Sequence, residues 1–188
     1  MDKQNEFIDK ISKIKNEYYA QNKKNILFKS AQKNDCASSI KSNLELDLLM
    51  RNTMFVIKES NHVFLDYTIF KNFVSEDIYE DVINYFMNLI LNTIHKHNVV
   101  IVHINLSTFS SSACHRYKKI IEMFLTKCLH HETEFVKKLK LLHIYNTPNL
   151  FENIISLLKH FIDPGVKDKI VYYNKTESNE LLKSLHNL

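Results

Sequence analysis

Apolar residues recur along the chain in two rhythms, and the switches between them mark its elements. Phe7, Ile8, Ile11, Ile14 and Tyr18 follow a helical period, which predicts an amphipathic helix over residues 1–24 with a lysine-rich opposite side. Gln32–Ser42 is polar and reads as a loop, and Leu44–Met50 as a further turn or two of helix. Met54–Ile57 and His62–Leu65 flank the polar stretch 58–61 and read as a strand pair. Ser75 is placed to cap a helix running to about His97, with Glu76 and Asp77 in its first turn and Ile78, Val82, Phe86, Leu89, Ile90 and Ile94 on one face. Val99–Ile104 is strongly β-branched and is expected at the centre of the sheet. A serine-rich loop, Asn105–Ala113, leads to a helix over His115–Leu129, where Ile120, Ile121, Phe124, Leu125 and Cys128 share a stripe. His130–Lys140 is a polar connection.

The most informative stretch runs from Leu141 to Tyr173. The apolar run Leu141–Tyr145 stops at Asn146, Thr147 and Pro148. Proline pushes the residue before it away from helix yet is welcome in a helix's first turn, so a buried strand ends here and a helix begins at about Asn149. Leu150, Ile154, Leu157, Leu158 and Phe161 keep a 3.6-residue period, and Phe151, Ile155 and Ile162 widen the stripe. Asp163, Pro164 and Gly165 are expected to stop that helix, Lys169–Tyr173 reads as a short strand, and Thr176–Leu188 as a terminal helix with Leu181, Leu182 and Leu185 inward. From residue 54 onward the order β-β-α-β-α-β-α-β-α predicts an α/β fold, a mixed, mostly parallel sheet with covering helices. Residues 1–50 form a helical extension to a domain over 51–188.

Composition narrows the function. The chain has 188 residues, 45% hydrophobic, with a net charge of +4, one glycine and three cysteines. Scarce glycine excludes the phosphate-cradling loops Gly-x-Gly-x-x-Gly and Gly-x-x-x-x-Gly-Lys, and a nucleophile elbow is absent. The mild positive charge suits an anionic membrane surface but is too small to argue for nucleic acid. No run reaches about 18 uninterrupted apolar residues, and the opening MDKQNEFIDK lacks a signal peptide's apolar core. Reduced thiols in the cytoplasm are the plain reading of Cys36, Cys114 and Cys128. Cys114, His115, Cys128, His130 and His131 have zinc-ligand chemistry without paired close spacings, so no metal or other cofactor is expected.

The residues Asn146, Pro148 and Phe151, then Lys159, Phe161, Ile162, Asp163 and Pro164, then Lys169 and Ile170 follow the pattern Asn-x-Pro-x-x-Phe, Lys-Pro-Phe-Leu/Ile-Asp-Pro, Lys-Ile. In this the chain resembles the C-terminal half of CRAL-TRIO lipid-binding domains, the family of the yeast phosphatidylinositol-transfer proteins. His160 stands where that pattern has a proline, and Arg51, Asn52 and Thr53 stand where it usually has Gly-Arg-Pro.

The resemblance implies a CRAL-TRIO-like lipid-binding fold and a protein, not an enzyme, that holds one lipid in an internal cavity for transfer, presentation or sensing at membranes. Phosphatidylinositol or another phospholipid is the implied ligand. The helix opening near Asn149 then corresponds to the family's gate, with Leu150, Phe151, Ile154, Ile155, Leu158 and Phe161 toward the cavity and Ile121 and Phe124 of the preceding helix beside them. A deeply buried crossover helix would carry the same stripe. Lys159 falls on the lysine that contributes to a phosphatidylinositol head-group site, with Glu122 as its candidate partner. A lysine on the helix's polar edge is the alternative. The implied location is cytoplasmic with transient membrane association. A second reading is a protein-interaction module of the same fold, similar to BCH domains that bind small GTPases or their regulators.

Overall fold

Val100, Ile101, Val102 and Ile104 give one short segment β-branched side chains on both faces, which favours a strand buried on both sides. In a computed structural model, which describes residues 2–23, 27–128, 133–148 and 164–185, this segment is β3 (Val100–Asn105). It is central, as expected. The strands form one five-stranded sheet in the order β1-β2-β3-β4-β5, with β1 (Met54–Val56), β2 (His62–Asp66), β4 (Leu139–Tyr145) and β5 (Ile170–Tyr172) around it. The β1–β2 pair is antiparallel and the β2–β3, β3–β4 and β4–β5 pairs are parallel.

The strands' period of two sorts their side chains onto two faces. Val63, Val100, Val102, Leu142 and Ile144 point into the main core. There they meet Val82, Ile83, Phe86, Ile90 and Ile94 of α5 (Tyr79–His97). That helix closes with Asn98 in the left-handed region at φ 59°, its N–H donating to the Ile94 carbonyl at 2.6 Å. The other face carries a second cluster of Ile57, Phe64, Tyr145 and Leu185, flanked by Phe55, Tyr173 and Leu182.

Ahead of the sheet lie α1 (Asp2–Gln21), α2 (Lys29–Asn43) and α3 (Leu46–Thr53). Phe7 and Ile11 of α1 are buried in the main core, as are Cys36 and Ile40 of α2. The polar stretch Gln32–Ser42, expected as a loop, thus lies entirely within a helix. Its apolar stripe is only Cys36, Ala37 and Ile40 wide, too narrow to register as a period. Another unexpected helix, α4 (Tyr67–Phe73), follows β2 directly. Asp66 caps it, its carboxylate accepting from the Thr68 N–H at 2.8 Å, and Tyr67, Ile69, Phe70 and Phe73 are buried.

Later elements also depart from expectation in detail. The serine-rich loop ends early, because Ser110 caps α6 (Ser111–Arg116). A break at Tyr117 then separates it from α7 (Lys118–Cys128). A short α8 (Glu134–Lys138) occupies the connection before β4. Ser75 precedes a 3-10 turn, Glu76–Ile78, but its hydroxyl donates to the Asp77 carboxylate rather than capping the backbone. Pro164 opens α9 (Pro164–Lys167), and Gly165 lies within it with no positive φ; the helix that Asp163, Pro164 and Gly165 are expected to stop lies outside the described residues. In the terminal helix α10 (Lys175–Leu185), Leu185 is buried but Leu181 is 37% exposed. The helix expected from Asn149 falls outside the described residues.

Candidate functional site

The second face of the sheet concentrates the chain's polar aromatic chemistry. Parallel register sets Phe64, His103 and His143 side by side on β2, β3 and β4. One step toward the carboxyl ends, it aligns Asp66, Asn105 and Tyr145. His62 shares the side of Phe64 by the period of two, so imidazoles from three strands meet. The rings of His62 and His103 stack with centroids 5.0 Å apart, and those of His103 and His143 at 4.9 Å. Tyr173, just past β5, extends the stack to His143 at 5.7 Å and to Tyr145 at 5.1 Å.

Hydrogen bonds tie these rings together. His62 Nδ1 and His103 Nε2 are 2.8 Å apart, His103 Nδ1 lies 2.9 Å from the Tyr145 hydroxyl, and His143 Nδ1 lies 2.9 Å from the Tyr173 hydroxyl. A neutral imidazole has one donor and one acceptor. His103 therefore either donates to His62 and accepts from Tyr145, or the reverse. The group is built to be uncharged. His103 is 2% exposed, and burial, with His143 and His62 close by, pushes its pKa from the ordinary 6.5 to about 3. Burial also lowers His62, helped by Lys140, and His143, helped by His62. The Tyr145 phenol is raised by burial and by Tyr173. Parallel rings do not converge their lone pairs on one ion, and among the described residues no group of three or more His, Cys, Asp or Glu could hold a metal. What the arrangement forms is a flat, neutral layer of mutually hydrogen-bonded rings edged by Phe55, Phe64 and Leu182.

A second set of polar contacts locks the carboxyl ends of the strands beside that layer. Asn146 adopts φ 55°, the left-handed region that asparagine tolerates. Its side-chain amide donates to Asn105 Oδ1 at 2.9 Å, and its backbone N–H donates to Ser178 Oγ at 2.7 Å. Thr147 donates from both its N–H and its hydroxyl to the Tyr173 carbonyl. The Asn146 of the sequence motif is thus a clamp joining β3, β4 and α10.

Leu150, Phe151, Ile154, Ile155, Leu158, Lys159 and Phe161 all lie outside the described residues. Phe124 packs its ring 5.6 Å from Phe86 of α5, and Ile121 adjoins the same main core. Neither belongs to the cluster on the second face. Glu122 pairs with Lys118 on its own helix at 3.6 Å. Sequence reasoning missed His62, His103, His143, Tyr145 and Tyr173. Their signal was present as a histidine in each of three successive strands, but only the register shows that they stack.

No curated protein matches the chain. Eight chains of solved structures match it. One of them, in the crystal structure of Sfh5, aligns with a TM-score of 0.48 and 14% identity, covering 59% of this chain and 42% of its own. The chain therefore spans less than half the length of that relative. Among the described residues no helix is long and apolar enough to cross a membrane. Residues 71–187, more than half of the chain, match the family model described as the CRAL/TRIO domain. The chain belongs to the CRAL/TRIO domain family, whose members bind and transfer lipids.

Proposed function

We propose that the protein encloses a single lipid between the second face of its sheet and the segment 149–163, and releases or presents it at a membrane surface. Membership of the CRAL/TRIO family over residues 71–187 carries this reading. Support comes from the division of the sheet's two faces. One is filled by α5 and its neighbours. On the other, the one helix among the described residues that joins the cluster is α10. The broad stripe of Leu150, Phe151, Ile154, Ile155, Leu158 and Phe161 supplies the apolar wall opposite, and hydrophobic transfer of the acyl chains supplies most of the affinity. No bond is made or broken; segment 149–163 acts as the gate, and its swing on docking to a bilayer admits or frees the lipid. Lys159 would meet a phosphodiester as a compact point charge, which favours phosphatidylinositol or another phospholipid. Glu122 would have to leave its ion pair with Lys118 to join it.

The test is native mass spectrometry of the purified protein, followed by solvent extraction and lipid identification. One phospholipid per chain is the expected result. A protein that stays empty after incubation with mixed liposomes would overturn the proposal.

A further inference from the structure

A groove of about 670 Å³ lies between the N-terminal helices and the segments that follow β2 and β3. Its charged lining comes from four elements: Lys15 of α1, Lys33 of α2, Lys71 of α4 and Arg116 of α6. Among the described residues, no aspartate or glutamate lines it. Elsewhere among the described residues, Lys41, Arg51, Lys96, Lys118, Lys119 and Lys127 each pair with a carboxylate. Three of the groove's four cations donate to neutral oxygens, as Lys138 and Lys169 also do outside it. Lys15 Nζ reaches Asn72 Oδ1 at 3.3 Å, Lys71 Nζ reaches Thr108 Oγ1 at 2.7 Å, and Arg116 Nη2 reaches Asn34 Oδ1 at 3.1 Å.

The arrangement costs the empty protein something. Lys71 is pushed below its ordinary pKa by burial and then by the charge of Lys15; Asp66, occupied in capping α4, opposes this only in part. Thr108 holds its hydroxyl against Lys71 from a backbone φ of 69°, a left-handed geometry that is uncommon for a β-branched residue. Hydroxyls of Ser110 and Ser112 complete the rim, and the rings of Tyr67 and Tyr117 meet edge to face 6.0 Å apart in the lining. Four like charges around one concavity focus a positive field. Arginine's fork and lysine's point charge are the side chains that recognise phosphate oxygens. A singly charged carboxylate would leave most of that field unanswered. The position also suits a ligand, since open α/β sheets bind at the carboxyl ends of their parallel strands.

We propose that this groove binds a phosphate-bearing anion of more than one negative charge, free in solution or presented as a lipid headgroup, and that α1 and α2 complete the site. It is separate from the lipid cavity on the sheet's second face. The experiment pairs two probes on the full chain: calorimetric titration with inorganic pyrophosphate, and co-sedimentation with phosphatidylcholine vesicles with or without phosphatidylinositol bisphosphate. Lys33 is exposed, so Lys33→Glu tests the site without burdening the core. Arg116→Ala removes the fork. Each is expected to weaken binding by about tenfold or more, the worth of one charge-assisted hydrogen bond. Lys119→Ala and Lys127→Ala, which remove lysines already paired with Glu76 and Glu80, should leave it unchanged. Pyrophosphate binding lost in the groove variants supports the site with a free anion. Binding confined to the doped vesicles, and lost in the same variants, supports it with a headgroup. Absence of binding to either probe, or equal loss in the Lys119 and Lys127 variants, overturns it. The lipid bound in native mass spectra is a separate readout, so the two sites stand or fall independently.

Discussion

His62 Nδ1 lies 2.8 Å from His103 Nε2, and the two imidazoles stack 5.0 Å apart across neighbouring parallel strands. One ring must donate and the other accept, and charging both would set two N–H groups against each other. The sheet therefore carries a proton-sensitive seam in its interior.

Acid should weaken the fold through this seam. The folded His103 resists protonation until about pH 3, whereas its ordinary value is 6.5. Its folded pKa is depressed, so the unfolded chain takes up the proton first as pH falls. Stability is full above about pH 6.5 and declines from there toward about pH 3. The depressed His62 and His143 act in the same direction. Urea midpoints measured from about pH 7 down to about pH 4 should fall, and His103→Phe should flatten the decline by up to one proton's worth. Equal slopes in the two proteins would sink the idea.

Removing His103 also strands a neighbour. His103→Ala leaves the Tyr145 hydroxyl, 2.9 Å away in the structure, without that partner, at a cost of about 1–3 kcal/mol. Adding Tyr145→Phe removes the stranded group. The double variant is expected to lose less stability than the two single losses summed. Simple additivity in chemical denaturation would show that the bond contributes nothing.

Asn146 is held in the left-handed region and bonded to Asn105. Asn146→Gly keeps the backbone geometry and should cost about 1 kcal/mol for the lost hydrogen bond. Asn146→Val adds a β-branched side chain where φ is positive and should cost about 2–3 kcal/mol. The denaturation midpoints should rank Asn, Gly, Val; a valine variant as stable as the glycine one contradicts the clamp.

The N-terminal helices are integral to the core. Ile11 is 2% exposed within the main cluster, and Ile11→Ala should cost about 2–5 kcal/mol. A chain beginning at residue 51 would uncover what α1, α2 and α3 bury, and we expect it to lose its cooperative thermal transition. A sharp transition in that truncation would instead establish residues 51–188 as independent of the extension.

Bulk in the proposed cavity should exclude lipid without unfolding the protein. Ile154→Trp and Leu158→Trp are expected to abolish loading in native mass spectra while circular dichroism stays unchanged. Lys159→Ala should lose phosphatidylinositol selectively against phosphatidylcholine. Normal loading in both tryptophan variants would remove segment 149–163 from the cavity wall.

What the sequence disclosed follows from how locally each signal is written. The strand at Val100 was legible because four of its first five residues are β-branched. The family motif at Asn146 was legible because its spacing survives in one continuous stretch. Helix α2 was hidden, since Cys36, Ala37 and Ile40 are its buried residues and the rest is almost entirely polar, mostly serine, lysine and asparagine. Helix α4 is only 7 residues long, under two helical turns, so no period could develop. The stacked rings pair residues 30 to 42 positions apart across the strands, and the basic groove draws on residues up to about 100 positions apart. Composition and spacing along one chain do not encode such meetings; strand register and helix packing do.

The sheet ends in three-residue strands on both sides, β1 and β5. Borders this short expose few unpaired N–H and C=O groups, so they give another copy of the chain little to extend. If the protein exchanges lipid as proposed, it would bare apolar surface at each exchange, the moment at which such association would begin. Among the described residues, the shortness of the outermost strands therefore disfavours lateral polymerisation.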